Sequence, residues 1–217
     1  MISLHRHFVR RTLFSALFAA GAVFPVPAQT DPASLPAREK HDNLTISLDP
    51  YQDQARSKDR FGKKTPFDAG IVAIEIFFRN QNDKPIRVGL DTIRLVLKPE
   101  GHDRQRLLPL SPEDVADSIL GREDPNPTVK RKPLPRGIPS SKRGKDWQQL
   151  TGSLREAALS GDLVPPHGVL HGFLYFDIDR HFEWLSDGDL YVPDLKFFPE
   201  QKDLFYFEVS LAPARLK

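Results

Sequence analysis

The sequence predicts a mainly β fold: a single antiparallel β-sandwich of about seven short strands, interrupted by a two-helix insert carrying a disordered basic loop. Three observations predict it. Apolar residues recur with period two in several separate stretches, on both sides of residues 112–160. Helical spacing is confined to that interval, so the strand–helix alternation that builds parallel sheets is missing. Twenty prolines and 13 glycines in 217 residues supply turns and argue against an all-helical chain.

Leu44, Ile46 and Leu48 alternate with Thr45, Ser47 and Asp49, the pattern of a half-buried strand. Pro50 to Asp68 reads as a charged loop. In Gly70 to Phe78, Val72, Ile74, Ile76 and Phe78 form an unbroken apolar face. The opposite face, Ile71, Ala73, Glu75 and Phe77, is only partly polar, which marks a central strand. The Arg79–Lys84 turn cluster and Pro85 follow, then a strand within Leu90–Lys98 and a short apolar run at Leu107–Leu110.

A helix is expected over 112–120. Ser111 and Asp114 make a capping box, Pro112 suits the first turn, and Gly121 stops it. Residues 122–146 hold five prolines and no apolar periodicity, so they are expected to be disordered. A second helix is expected over 147–160, with Trp147, Leu150 and Leu154 on one stripe. Strands resume at Val169–Ile178, Leu190–Phe198 and Leu204–Leu211. Either group of strands alone would expose an apolar face. The insert therefore interrupts one domain, 43–213, preceded by a flexible leader over 29–42. Seven short strands separated by turns fit an immunoglobulin-like sandwich.

Several stretches together resemble a broad group of secreted bacterial domains of unknown function with an immunoglobulin-like fold. They are Ile71 to Asn80, Pro85, Ile93 to Leu97, Pro165-Pro166-His167-Gly168, and Gly172-Phe173-Leu174-Tyr175-Phe176-Asp177. The likeness is one of pattern over roughly Asn43 to Leu211. It implies a β-sandwich and carries over no functional residue.

The N-terminus reads as a secretory signal peptide over residues 1–28. Arg6, Arg10 and Arg11 precede an apolar run, Thr12 to Phe24, and Val26-Pro27-Ala28 offers a small-residue cleavage site. Thirteen apolar residues are too few to cross a hydrocarbon core of about 30 Å. The expected location is periplasmic or extracellular, with no transmembrane span after cleavage. Removing those three arginines from 31 basic and 29 acidic residues leaves 28 against 29, a mature charge of −1. Zero cysteines exclude disulfides, thiol catalysis and Cys-ligated metals.

The charge is uneven. Lys130, Arg131, Lys132, Arg136, Lys142, Arg143 and Lys145 put seven positive charges into sixteen residues without an acid. This loop is the candidate for weak contact with an anionic surface. It holds no aromatic residue for base stacking, and nucleic acid is not an expected partner.

Asp177, Asp179, His181 and Glu183 offer metal-type ligands. Alternate strand positions are nearly 7 Å apart, so the pattern favours a solvated strand end unless a tight turn gathers them. His167 and His171 on a strand lie about 13 Å apart, too far for one zinc ion. No nucleophile elbow or phosphate loop is present. The sequence therefore points to no catalytic residue and no cofactor. The expected function is an exported, non-catalytic protein that binds a protein, glycan or envelope component, or supports envelope assembly. Two alternatives stand beside it: a carboxylate-based hydrolase near Asp177–Glu183, and a peripheral membrane-surface binder using loop 130–145.

Overall fold

The computed structural model describes residues 34–121 and 144–216. The described chain runs β1 (Ala37–His41), β2 (Leu44–Tyr51), α1 (Gln54–Phe61), β3 (Ile71–Asn80), β4 (Ile86–Val88), β5 (Arg94–Leu97), β6 (Gln105–Leu107) and α2 (Pro112–Gly121). It continues with α3 (Lys145–Ala157), β7 (Leu163–Val164), β8 (Val169–Asp177), β9 (Gly188–Val192), β10 (Leu195–Phe197), β11 (Lys202–Asp203) and β12 (Phe207–Ser210). The fold is mainly β, in three four-stranded antiparallel sheets. Sheet I has the order β1-β2-β3-β8, sheet II β12-β9-β5-β6, and sheet III β11-β10-β4-β7.

β3 organises the molecule because both of its faces are apolar. Val72, Ile74, Ile76 and Phe78 enter a core shared by all three sheets, where they meet residues such as Leu95, Leu190 and Val209. Ile71 and Ala73 face the other way, with Phe173 and Tyr175 of β8. That side is closed by Val115, Ala116 and Ile119 of α2 and by Leu154 and Ala157 of α3. Sheet I is therefore a middle layer with helices over part of one face. Strands before and after the insert contribute to the same core.

β2 is buried on both faces, where alternation alone predicts burial on one. Ser47 and Asp49 lie on the second face, and Asp49 is satisfied there by Arg56 of α1 at 3.2 and 2.8 Å. α1 lies inside the stretch expected to be a loop. Its signals were a cap and a stop. The Asp53 carboxylate accepts from the Arg56 N–H at 2.8 Å, and Gly62 follows the last turn with φ 84°. With only Ala55 and Phe61 as apolar residues, its stripe is too thin to read.

The expected leader over 29–42 is corrected where it is described: Ala37–His41 is strand β1, paired in register with Leu44–Leu48. Asp42 and Asn43 close this hairpin with φ 49° and 56°, the left-handed values that Asp and Asn tolerate. Only Ala37 in β1 is apolar and fully buried, so the strand carries little period-two signal. The expected strand at 190–198 is two strands in different sheets, β9 and β10, separated at Pro193-Asp194. Twelve strands among the described residues, rather than seven, follow from such divisions and from pieces of two or three residues.

α2 begins at Pro112, with the Ser111 hydroxyl accepting from the Asp114 N–H at 3.1 Å. The second helix is shifted from 147–160 to Lys145–Ala157, with Gly144 in the capping position. It ends early because Ala158 and Leu159 leave it to lie along β8, where the Leu159 N–H donates to the Phe173 carbonyl at 3.0 Å. The expected disorder of 122–146 is thereby corrected for Lys145 and Asp146, and 122–143 lies outside the described residues, as do the signal segment and residues 29–33. Among the described residues no helix is long and apolar enough to cross a membrane.

Candidate functional site

Alternation in sheet II sends Leu95, Leu97, Leu190, Val192, Phe207 and Val209 into the core. The intervening residues form the outer face. Register aligns Arg94, Tyr191 and Glu208 side by side across β5, β9 and β12, and places Arg106 of β6 opposite Val96. The face is concave and encloses a groove of about 610 Å³. Small-molecule sites commonly span about 300–1,000 Å³. Its floor is Val96, only 2% exposed although it points away from the core. Tyr206 forms part of the wall, its ring centre 5.6 Å from that of Tyr191. Beside it Phe205 is 75% exposed, the most exposed large apolar side chain of the described chain.

The charges are unevenly satisfied. Lys98 pairs with Asp189 at 2.6 Å, and Arg104 reaches across the face from the β6 side to Glu208 of β12 at 3.6 Å. Arg94 donates to the backbone carbonyls of Asp91 and Ile93 at 2.6 and 2.8 Å. Those bonds orient its guanidinium, and no carboxylate pairs with it among the described residues. Arg106 is exposed and has no ion-pair partner among the described residues. Two arginines on one concave face are therefore free to take an anion, in a chain whose net charge outside the basic loop is negative. Guanidinium forks bind planar carboxylates and phosphates bidentately.

Sequence reasoning missed this face. Arg94, Arg104 and Arg106 are separated from Tyr191 and Tyr206 by about a hundred residues, and only the β5–β9 register brings them together. The visible signal was the polar set alternating with Ile93, Leu95 and Leu97.

The residues that the sequence singled out lie elsewhere. Asp177 accepts from the Asp179 N–H at 3.0 Å within a turn where Asp179 and Arg180 have φ 47° and 72°. His181 stacks on Trp184 with ring centres 4.0 Å apart and contacts Glu183 at 2.8 Å. That hydrogen bond holds the exposed Glu183 carboxyl below its ordinary value. The tight turn is present, yet Asp177 is taken up by a backbone N–H and His181 by Glu183 and Trp184, and no group of three or more metal-type ligands forms among the described residues. His167 contacts Asp83 at 2.8 Å, while His171 stacks on Phe77 and lies 3.7 Å from Glu75, so the two imidazoles serve different partners. Lys130, Arg131, Lys132, Arg136, Lys142 and Arg143 lie outside the described residues; Lys145 is exposed at the first turn of α3.

A second polar cluster sits on the helix side of sheet I. Glu75 of β3 lies directly opposite Asp49 of β2, and like charges in that position repel. Burial pushes the Glu75 carboxyl above its ordinary value and the Asp49 charge adds to this, against the opposing pull of His171, Arg60 and Arg56. Burial also pushes the Tyr51 phenol up. Arg56 sits over the Tyr51 ring at 4.3 Å, and Arg60 over Phe173 at 5.2 Å. Ser47 shares this face, but it is aligned with Phe77, and Phe77 with His171. Two interstrand spacings separate Ser47 from His171 by about 10 Å, which rules out a hydroxyl–imidazole pair.

The cluster predicts a pH effect. A raised folded-state value means that the folded protein holds the Glu75 proton more tightly than the unfolded chain. The cost of the charge is absent below the ordinary glutamate value and complete above the folded one. Glu75→Gln is expected to raise Tm at pH 7.5, by about 2–4 °C for each kcal/mol relieved. The difference should vanish near pH ~3.5, where the carboxyl is protonated in both states. Thermal melts of both proteins at the two pH values check it, and a lower Tm for the variant at pH 7.5 counts against it.

In comparisons with known proteins, the chain matches no protein-family model, no curated protein and no solved structure.

Proposed function

We propose that this protein is an exported, non-catalytic binding module that holds an anionic envelope component on the outer face of sheet II. The observation that carries this reading is the pair of guanidiniums, Arg94 and Arg106, without an ion-pair partner among the described residues, on a concave face walled by Tyr191 and Tyr206. Export is supported by the basic, apolar and small-residue order of residues 1–28. In this reading sheets I and II are the two layers of an immunoglobulin-like sandwich and sheet III closes one end. The pattern-level resemblance to secreted bacterial domains of that fold agrees with it.

Titration with a short polyanion, at low and high salt, tests the face. Arg94→Ser with Arg106→Ser should weaken binding at least tenfold, because each charge-assisted hydrogen bond contributes about 1.5–3 kcal/mol. Lys142→Ser with Arg143→Ser should change it little. Weakening that follows the loop substitutions instead would favour the membrane-surface reading. The intact mass of the exported chain should correspond to a start at Gln29, and a retained Phe14–Phe24 segment would contradict export by cleavage.

A further inference from the structure

The face that carries the binding reading also constrains its ligand. β5 and β9 are the inner strands of sheet II, so their backbone groups are committed to neighbouring strands on both sides. The middle of the groove therefore offers side chains and no free ladder to which an extended peptide could pair. Those side chains are of two kinds. Guanidiniums match planar carboxylates, and phenol rings offer flat apolar faces with a polar tip. Tyr206 is 54% exposed, and its chain neighbour Phe205 is 75% exposed. A ligand that satisfies both kinds carries carboxylates at intervals on rigid rings whose C–H faces lie against aromatic groups.

Glu208 adds a second constraint. It lies beside Tyr191 in register, and its carboxylate meets Arg104 at 3.6 Å. That distance is long for a charge-assisted hydrogen bond, which is commonly about 2.7–2.9 Å. Both side chains are substantially exposed, so the pair contributes little to stability. A carboxylate of the protein thus occupies loosely a place that a ligand carboxylate would fill.

We propose that the ligand is an acidic saccharide chain of the uronic-acid type, stacked on Tyr191 and Tyr206, with one of its carboxylates displacing Glu208 from Arg104. This rests on the binding reading above and deepens it. Arg94 and Arg106 hold further carboxylates, and Val96 gives the ring an apolar floor.

Titrations of the mature protein with three probes test it: an oligogalacturonate hexamer, maltohexaose and hexaglutamate. The uronate is expected to bind at least about tenfold more tightly than either other probe, since neutral rings lack the charge and the peptide lacks the rings. Tyr191→Ala should weaken uronate binding about three- to tenfold, the size of an aromatic packing contact, and leave hexaglutamate unchanged. Glu208→Gln should tighten uronate binding beyond the effect of Glu200→Gln, which removes one charge away from the face. Equal binding of hexaglutamate and uronate would overturn the saccharide assignment while leaving the anion-binding face intact. Equal effects of Glu208→Gln and Glu200→Gln would overturn the displacement. Failure of both anionic probes to bind would overturn the saccharide proposal and the binding reading together.

Discussion

Ile74→Ala should cost about 2–5 kcal/mol of folding stability. Ile74 is 0% exposed, midway along β3, between Pro50 of β2 and Leu174 of β8 in register. Its side chain enters the core that all three sheets share, so a cavity there has lining from several elements and cannot close by moving one of them. Typical domains have only about 5–15 kcal/mol in total, so this one truncation removes a large part of the margin. Ile74→Val, which removes one methylene, should cost about 0.5–1.5 kcal/mol. Urea unfolding with an unchanged slope is the measurement. A loss below about 1 kcal/mol for the alanine variant would mean that β3 is not the centre of the core.

Gly172→Ala should be destabilising by about 1–3 kcal/mol or more, although it adds a single carbon. A Cβ at this position would lie 2.4 Å from the Leu159 Cα and 2.6 Å from the Leu159 nitrogen. These are backbone atoms of the segment that leaves α3 and crosses β8, and they cannot rotate away. The segment is fastened there by the Leu159–Phe173 hydrogen bond and the pairing of Ala158 with Phe173. Relief of the clash requires the crossing to lift, which draws Leu154 and Ala157 out of the helix-side core. The expected signature is faster amide exchange in α3 along with lower stability, whereas Ile74→Ala should act on the whole fold. Gly152→Ala provides the contrast. Gly152 lies in the exposed face of α3 with nothing within 4 Å of an added Cβ, so alanine should stabilise there by about 0.5–1 kcal/mol. A neutral Gly172→Ala would show that α3 does not rest on β8 through this crossing.

The two positions differ in how they can be read from the sequence. Ile74 announces itself through the alternation of Val72, Ile74, Ile76 and Phe78. Gly172 interrupts an apolar strand, and its reason is a backbone that passes over it from thirteen residues earlier. Asn80 is similar. As a residue after an aliphatic run it reads as the start of a turn. In the fold it is 1% exposed, and its amide donates to the carbonyls of Lys84 and Pro165 at 2.7 and 3.2 Å, joining two turns that are distant in sequence.

The β character, the central place of β3 and the capped start of α2 are legible in the residues alone. Each depends on local chemistry: period-two burial along an extended chain, two apolar faces on one segment, and a Ser hydroxyl three residues before an orphan N–H. What covers the second face of sheet I, where strand 190–198 divides, and which charges lack a partner among the described residues depend on contacts between distant segments. A buried charge such as Asp49 is acceptable only once Arg56 has been brought to it. Arg94 has Tyr191 of β9 beside it in register, whereas Lys98 reaches Asp189 of the same strand. Pairing register acts between segments about a hundred residues apart, and no local pattern specifies which side chains it will set side by side.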